Sequence, residues 1–216
     1  VGVGNPNAVL RASRICDELG MDTISAGGTI AWAMECFEQG LFNLKDTDGI
    51  DLRFGNEDAL IPCLELIAHR RGIGDLLANG SRIASQVVGQ GSEGWAMHVK
   101  GLEMPGYEPR SLKTMALGLA VSTRGACHNK SSSYEADFSS MVNRLEVDDK
   151  RGRITMEGET FAAVLDSLIW CKFLRRAFDD FYAESARIYT HITGWRTTKN
   201  DLIQAGERIN NLKKLF

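Results

Sequence analysis

Helical periodicity is the feature that most constrains how this chain can fold. Apolar residues recur at spacings of three and four in one segment after another, which is the pattern of an amphipathic α-helix. Alternating patterns are scarce, and only Trp95–Val99 alternates in the way a short extended segment does. The sequence therefore predicts a mainly α fold. The last segment shows the helical stripe most clearly, through Leu202, Ala205, Ile209, Leu212 and Leu215.

Capping residues and glycines divide the chain into predicted helices. Asn5 or Asn7 caps the first helix, and Gly20 ends it because glycine tolerates the left-handed conformation. Pro62 lies too deep for a first-turn proline and predicts a kink. Asp75 is expected to cap a short helix ending at Ala78. The other predicted helices span Asn7–Leu19, Gly27–Gln39, Asn56–Arg71, Ser81–Val88, Ser111–Ser122, Glu159–Leu174, Asp179–Ile192 and Lys199–Phe216.

Composition excludes several classes of function. The 216 residues suffice for one large domain or two small ones, and 44% hydrophobic with 25% charged residues is ordinary for a soluble globular protein. A formal net charge of −3 gives no basic field for nucleic acid. No apolar run approaches the roughly 20 residues that span a bilayer. We therefore expect neither nucleic acid nor membrane as a partner.

Cysteine usage favours a reducing compartment, which we take to be the cytoplasm. The number of cysteines is odd and no CxxC pair occurs, which argues against a disulfide framework. Nor can the chain alone supply a clustered four-thiolate site of familiar spacing. The five cysteines are Cys16, Cys36, Cys63, Cys127 and Cys171.

The two ends of the chain look cut. It begins Val1-Gly-Val-Gly-Asn-Pro6 without an initiator methionine, and it ends at Phe216 directly after an amphipathic helix. We expect the chain to be a piece of a longer polypeptide.

Two short stretches share one frame. Asp17-Glu-Leu-Gly-Met-Asp22 and Asp166-Ser-Leu-Ile-Trp-Cys171 each open with Asp and close five positions later on an ionisable group. The second is predicted to lie inside an apolar helical run, Phe161–Phe173. Two carboxylates placed in this way can hold two copies of one flat polar ligand, with the thiol beside a metal centre. Taken alone, an Asp near a helix end is usually a cap or a solvated charge, and a Cys in an apolar run is usually a small core residue.

A third stretch, Arg124-Gly-Ala-Cys-His-Asn-Lys130, is dense in reactive groups. Arg and Lys suit an anionic or carbonyl-rich ligand, and His128 is a candidate general acid or base because the unperturbed pKa of an imidazole lies near neutrality. The alternative is a capped turn with solvated charges. Tyr107 is an aromatic in a rigid loop, where the alternative role is a packing anchor. The following Arg144–Gly158 is polar, highly charged and predicted to be exposed.

Together these stretches resemble the aldehyde:ferredoxin oxidoreductase family, whose members carry tungsten or molybdenum with two pyranopterins. The resemblance covers nearly the whole chain, and the matching pieces occur in family order. They are Asp17–Asp22 with the Thr-Ile-Ser-Ala-Gly that follows, Arg71–Gly80, Val99–Glu103 running into Tyr107–Arg110, Met115–His128 and Asp166–Cys171.

The resemblance implies roles in pterin binding. Asp17 and Asp166 correspond to the family's two carboxylates that accept hydrogen bonds from the pterin N–H donors. Gly20 and Asp22 belong to the first of these motifs, and Lys130 matches a pterin-contacting lysine. Ile169 replaces the glycine of the commoner second motif.

It also implies roles in metal binding and catalysis. Cys171 matches the last cysteine ligand of a four-iron four-sulfur cluster. His128 matches a histidine near the metal, a candidate proton donor or acceptor for the substrate oxygen. Tyr107 matches an active-site tyrosine of some members, whereas the sequence Ser131–Asp137 departs from the best-known aldehyde enzymes and leaves the substrate open.

The implied function is oxidation of aldehydes to carboxylic acids, with electrons passing through the cluster to ferredoxin. The fold implied is the multihelical C-terminal part of such an enzyme, with a first helical domain at 1–110 and a second at 111–216. The N-terminal cofactor domain is absent, so we expect the chain alone to be inactive.

Two alternatives stay open. One is an aromatic acyl-thioester reductase of the same family, with a pocket lined differently around Tyr107 and Tyr134. The other is a cofactor-free helical interaction domain, which predicts that Asp17 and Asp166 lie far apart on outer faces. The oxidoreductase interpretation predicts instead that they line one cavity, with Cys171 and His128 opening onto it.

Overall fold

Helices dominate the structure and confirm the mainly α fold. The computed structural model describes residues 1–140 and 142–216, apart from the side chain of Arg176. In these residues the α-helices are α1 (Pro6–Leu19), α2 (Thr23–Glu38), α3 (Leu60–Ala68), α4 (Ile73–Leu77), α5 (Gly80–Val88), α6 (Lys113–Val121), α7 (Tyr134–Asp137), α8 (Lys150–Ser167), α9 (Phe181–Thr193) and α10 (Lys199–Leu215). Shorter 3₁₀ turns cover Glu57–Ala59, Ser92–Trp95 and Lys172–Arg176. None of the described helices combines the length and the apolar character that crossing a membrane requires.

The chain divides into two compact units, Val1–Gly106 and Tyr107–Phe216. The first contains α1 to α5 and the second α6 to α10. The predicted domain boundary after residue 110 stays a prediction.

The core of the first unit forms around α2. The side chains of Trp32, Met34 and Cys36 are buried, and the indole Nε1 of Trp32 donates to the carbonyl of Ser92 at 3.0 Å. Burying the indole with its N–H satisfied lets a large apolar surface leave water without an orphan donor.

A short hairpin closes this unit. Strands β1 (His98–Val99) and β2 (Leu102–Glu103) pair antiparallel, with His98 opposite Glu103. The buried Glu103 carboxylate accepts from Ser81 N at 2.7 Å and Ser81 Oγ at 2.8 Å. The hairpin is therefore tied to the start of α5.

The second unit is built on α8. The run Ala162–Leu165 is buried, and α10 packs against it at Gly206. A Cβ on Gly206 would lie 2.7 Å from the carbonyl oxygen of Thr160, so only glycine permits this approach.

A buried ion pair joins three helices of the second unit. Asp137 Oδ2 accepts from Met115 N at 2.8 Å, and Asp137 Oδ1 lies 3.1 Å from Arg151 Nη1. The two ionic side chains are 0% and 3% exposed. The prediction of an exposed segment over Arg144–Gly158 is therefore wrong at Arg151. This side chain is buried because its guanidinium pairs with the buried Asp137 carboxylate.

The structure corrects three predicted helix details. Helix α8 ends at Ser167, so Asp166–Cys171 is a helix end and a turn, not the interior of a helical run. Pro62 is the third residue of α3, within its first turn, where a missing N–H costs little. Asp75 lies inside α4, and the amide of Ile73 donates instead to Asp48 Oδ2 at 2.8 Å.

Candidate functional site

The first Asp frame forms the C-terminal end of α1. Gly20 adopts a left-handed φ of 71° and its amide donates to the Asp17 carbonyl at 3.3 Å. The next amide, of Met21, donates to the Cys16 carbonyl at 2.8 Å. These paired bonds are those of a Schellman-type helix end. Asp22 then caps α2, accepting from Ser25 N at 2.7 Å.

The second Asp frame repeats this backbone at the end of α8. Ile169 has a φ of 59°, and its amide donates to the Asp166 carbonyl at 3.2 Å. The amide of Trp170 donates to the Leu165 carbonyl at 3.0 Å. Cys171, in the sixth position, precedes a 3₁₀ turn as Asp22 precedes α2. The two stretches that share a sequence pattern therefore also share a local backbone structure.

The opening carboxylates of the two frames are poorly placed for stability. Asp17 and Asp166 lie in the last turn of their helices, next to backbone carbonyls, and both are exposed. A helix C-terminus carries partial negative charge and favours cations, so an Asp there loses free energy. Neither helix has a basic residue in its last turn. The helix dipole therefore gives neither carboxylate a stabilising role at this position.

In the second unit Asp166 meets a lysine from the Arg124–Lys130 loop. Lys130 Nζ lies 2.6 Å from Asp166 Oδ2. The Lys130 side chain is 30% exposed and the Asp166 side chain 44% exposed. The pair thus presents both an acceptor and a donor to solvent. The structure brings these two predicted pterin residues together.

The Arg124–Lys130 loop is a tight turn with Cys127 inside it. The Lys130 amide donates to the Cys127 carbonyl at 3.3 Å. The Cys127 thiol is buried, and Arg124 Nη1 donates to its sulfur at 3.6 Å. Cys127 therefore packs inward, while His128 beside it is only partly buried.

Aromatic rings surround His128. Its imidazole lies 5.4 Å from the Tyr107 ring and 6.0 Å from the Tyr134 ring, centroid to centroid. The two tyrosines stack at 4.8 Å with an interplanar angle of 15°. Phe138, 61% exposed, borders both tyrosines. The structure thus joins the two predicted catalytic residues, Tyr107 and His128, in one cluster.

Arg175 fixes one wall of this cluster. Its Nε lies 2.7 Å from Glu135 Oε1, and its Nη2 donates to the Tyr134 hydroxyl at 3.3 Å. Its Nη1 donates to the Lys172 carbonyl at 2.9 Å. The partners of Glu135 and Tyr134 lie 40 and 41 residues away along the chain, so no local sequence pattern indicates them.

Lys172 makes a second long-range contact. Its Nζ donates to the Asn129 carbonyl at 2.6 Å, 43 residues away. Burial lowers the pKa of the Lys172 ammonium, and the neighbouring Asp166 opposes that shift. Sequence reasoning missed this lysine because its acceptor is a backbone oxygen, which carries no residue signature.

The donor set fits a pterin well and an iron–sulfur cluster in part. A pterin's aminopyrimidine edge offers N–H donors that carboxylates such as those of Asp17 and Asp166 accept in pairs. Cys171 is an exposed free thiol, one of the four thiolates that a cluster needs. Within residues 1–140 and 142–216, no three His, Cys, Asp or Glu side chains are grouped to hold a metal ion.

Comparison with known proteins decides the family. The sequence profile described as "Aldehyde ferredoxin oxidoreductase, domains 2 & 3" matches residues 1–216. The chain belongs to the aldehyde ferredoxin oxidoreductase family. The predicted resemblance and the helical C-terminal region that it implied are thereby confirmed.

Two relatives show the breadth of this aldehyde ferredoxin oxidoreductase family. The tungsten-containing aldehyde ferredoxin oxidoreductase of Pyrococcus furiosus is 35% identical over 224 residues, which cover 100% of this chain and 36% of that protein. The aliphatic sulfonate oxidoreductase, WOR-like subunit, of the same organism is 29% identical and is covered to 32% of its length. The chain therefore spans about a third of the relatives it matches.

A solved structure shares the fold. The active-site complex BamBC of benzoyl coenzyme A reductase, with 1,5-dienoyl-CoA, matches with a TM-score of 0.68 at 21% identity. The match covers 96% of this chain and 38% of that one. At this identity the similarity establishes the fold of the aldehyde ferredoxin oxidoreductase C-terminal region alone.

Proposed function

We propose that the chain is part of an oxidoreductase that oxidises aldehydes to carboxylic acids with a tungsten bis-pyranopterin. The observation that carries the proposal is the repeated Asp frame, with the same helix end at Asp17 and Asp166. Two copies of one binding device suit two copies of one ligand. Relatives with 31% to 35% identity are named as tungsten-containing enzymes, which favours tungsten over molybdenum.

Asp17 and Asp166 would each accept N–H donors of one pterin. At the first frame, Gly20 supplies the left-handed turn and Asp22 holds the next helix at its capped start. At the second frame, Lys130 holds the Asp166 carboxylate in place, since its Nζ lies 2.6 Å away. These residues bind and orient the cofactor, and the cofactor supplies the two-electron redox chemistry.

His128 would handle the proton at the substrate oxygen. Oxidation of an aldehyde, with water as the source of the added oxygen atom, yields a carboxylic acid, two protons and two electrons. An imidazole with a pKa near neutrality can take or give one of these protons at working pH. The Tyr107 ring, 5.4 Å away, limits how the imidazole can turn.

Cys171 would supply one thiolate of a four-iron four-sulfur cluster that takes the electrons and passes them to ferredoxin. Its exposure and its place as the last residue of the second Asp frame support this role. Three further thiolates would come from the rest of the full-length protein, together with the N-terminal cofactor domain.

A second candidate is reduction of an aromatic acyl-thioester. The observation that favours it is the stacked Tyr107–Tyr134 pair with the exposed ring of Phe138, which offers flat apolar surface beside His128. Such surface suits an aromatic ring. Both candidates use the same cofactor residues and differ in the substrate.

The test uses the full-length holoenzyme, purified without oxygen. Tungsten and iron are measured by elemental analysis, and the reduced enzyme is examined by electron paramagnetic resonance. Aliphatic and aromatic aldehydes are then assayed with ferredoxin, and aromatic acyl-thioesters with a low-potential donor. Tungsten, about four irons per chain and aldehyde turnover would support the proposal. Turnover of thioesters alone would support the second candidate.

Variants at the two frames sharpen the test. Asp17→Asn and Asp166→Asn are expected to lower tungsten content, because an amide cannot replace a carboxylate as a double acceptor. Glu157→Gln, which removes an exposed ion pair of α8, is the matched control and should retain tungsten. A well-folded anaerobic preparation with neither tungsten nor iron would favour a cofactor-free interaction domain.

A further inference from the structure

Two contacts fasten the loop that carries His128 to residues 166–172, a stretch of seven residues that includes Cys171. Lys130 Nζ lies 2.6 Å from Asp166 Oδ2. Lys172 Nζ donates to the Asn129 carbonyl at 2.6 Å. Both contacts involve the two residues that follow His128.

We propose that Lys172 is a positioning residue for His128. It acts through the backbone of Asn129, which follows His128 directly, and it holds that backbone against the turn that carries Cys171. The proposal rests on the proposed role of His128 in proton transfer.

The contact is more than a surface encounter. Lys172 is partly buried, and a buried ammonium needs an acceptor to offset the water it has lost. A charged donor to a carbonyl also forms a stronger hydrogen bond than a neutral pair does. The contact therefore constrains where the Asn129 carbonyl can lie.

The backbone of Lys172 is itself held by a hydrogen bond from Arg175. Its carbonyl accepts from Arg175 Nη1 at 2.9 Å, and Arg175 also binds Glu135 and the Tyr134 hydroxyl. Tyr134 is a ring neighbour of His128. The 3₁₀ turn Lys172–Arg176 thus reaches His128 by two routes, through the Asn129 backbone and through the Tyr134 ring.

The consequence is a fixed place for the imidazole relative to Cys171. Proton transfer requires a donor and an acceptor within hydrogen-bonding reach, and a displacement of about 1 Å can lower a rate about 100-fold. Substrate contacts made elsewhere would not change. Loss of the Lys172 contact should therefore lower kcat more than it raises KM.

The test compares Lys172→Met, Lys172→Arg and wild type in the full-length holoenzyme. Methionine keeps an unbranched stem without the donor, whereas arginine restores a donor. Lys213→Met, at an exposed position of α10, is the matched control. For each protein we would measure tungsten and iron content, aldehyde kcat and KM, and amide hydrogen exchange over residues 127–132.

The expected result for Lys172→Met is a fall in kcat of about 10- to 100-fold with KM within about twofold. Exchange over 127–132 should be faster, metal content unchanged, and Lys172→Arg should recover most of the rate. If Lys172→Met has the same kcat and the same amide exchange over 127–132 as wild type, the proposal is overturned. So would a fall in kcat matched by lost tungsten, which would mark the lysine as a cofactor-retention residue. If wild type shows no aldehyde turnover, the proposed function fails. Amide exchange over 127–132 then still tests the positioning role, which unaltered exchange in Lys172→Met would overturn.

Discussion

Ile169 adopts the left-handed backbone conformation that Gly20 adopts at the equivalent place of the other Asp frame. Their φ angles are 59° and 71°. Glycine takes this conformation freely, whereas a β-branched residue is strained in it. The Ile169 side chain is also 91% exposed, so it gains little from burial within the described structure. The backbone therefore adopts this turn although a β-branched residue at position 169 does not favour it.

Ile169→Gly should therefore stabilise the chain, by about 1 kcal/mol, because it relieves left-handed strain. Urea unfolding followed by circular dichroism would measure the change. Gly20→Ile is the matched opposite and should destabilise by a similar amount. An Ile169→Gly midpoint at or below that of wild type would contradict the strain argument.

His128→Asn should lower aldehyde turnover of the holoenzyme by about 100- to 10,000-fold, because a side-chain amide cannot act as a general acid or base near neutral pH. Tungsten and iron content should stay at the wild-type level. His191→Asn, in an exposed position of α9, is the control and should leave turnover unchanged. Retained turnover in His128→Asn would remove this histidine from the proposed mechanism.

Arg151→Met should destabilise the chain by about 3–5 kcal/mol, because it leaves the buried Asp137 carboxylate without its countercharge. Arg153→Met is the matched control two residues away, where the side chain is 80% exposed and pairs with Glu157. Its effect should stay within about 0.5 kcal/mol. Urea unfolding of the three proteins would compare them, and similar losses for both variants would contradict the assigned burial.

Alkaline pH should destabilise the chain through Cys63. Burial raises the pKa of this thiol from 9.0 to about 12. The folded state therefore keeps its proton over a range in which the unfolded state releases it. Stability should fall as the pH rises from 9 towards 12, with a slope of up to about 1.4 kcal/mol per pH unit from this group.

Unfolding midpoints between pH 8 and 11 would measure the slope for wild type and Cys63→Ala. The variant should show the shallower dependence. Thiol labelling at pH 8 gives a second readout, in which exposed Cys171 reacts in the native state and Cys63 only after unfolding. Equal slopes, or native labelling of Cys63, would contradict the prediction.

Helix ends with local signals were predictable. Asn5 caps α1 as expected, and Gly20 ends α1, since a cap bonds only to backbone a few residues away. The end of α8 was missed because Ile169 occupies a turn position that normally shows glycine. No residue preference indicated a helix end there.

The candidate site residues also divide into those that a local sequence pattern indicates and those that it does not. The motifs indicated Asp17, Asp166, Lys130 and His128 from residue type and spacing. Arg175, by contrast, contacts groups about 40 residues away along the chain. Folding alone brings such partners together.

The sequence by itself determined the mainly α class, most helix positions, the family and the two Asp frames. Each depends on local periodicity, capping or a motif, which a short stretch of chain carries. Tertiary structure alone decided that Arg151 is buried against Asp137 and that Lys172 reaches the Asn129 carbonyl. Those contacts depend on charges and backbone oxygens meeting after distant helices pack, and a polar residue looks the same in sequence whether its partner is water or another segment.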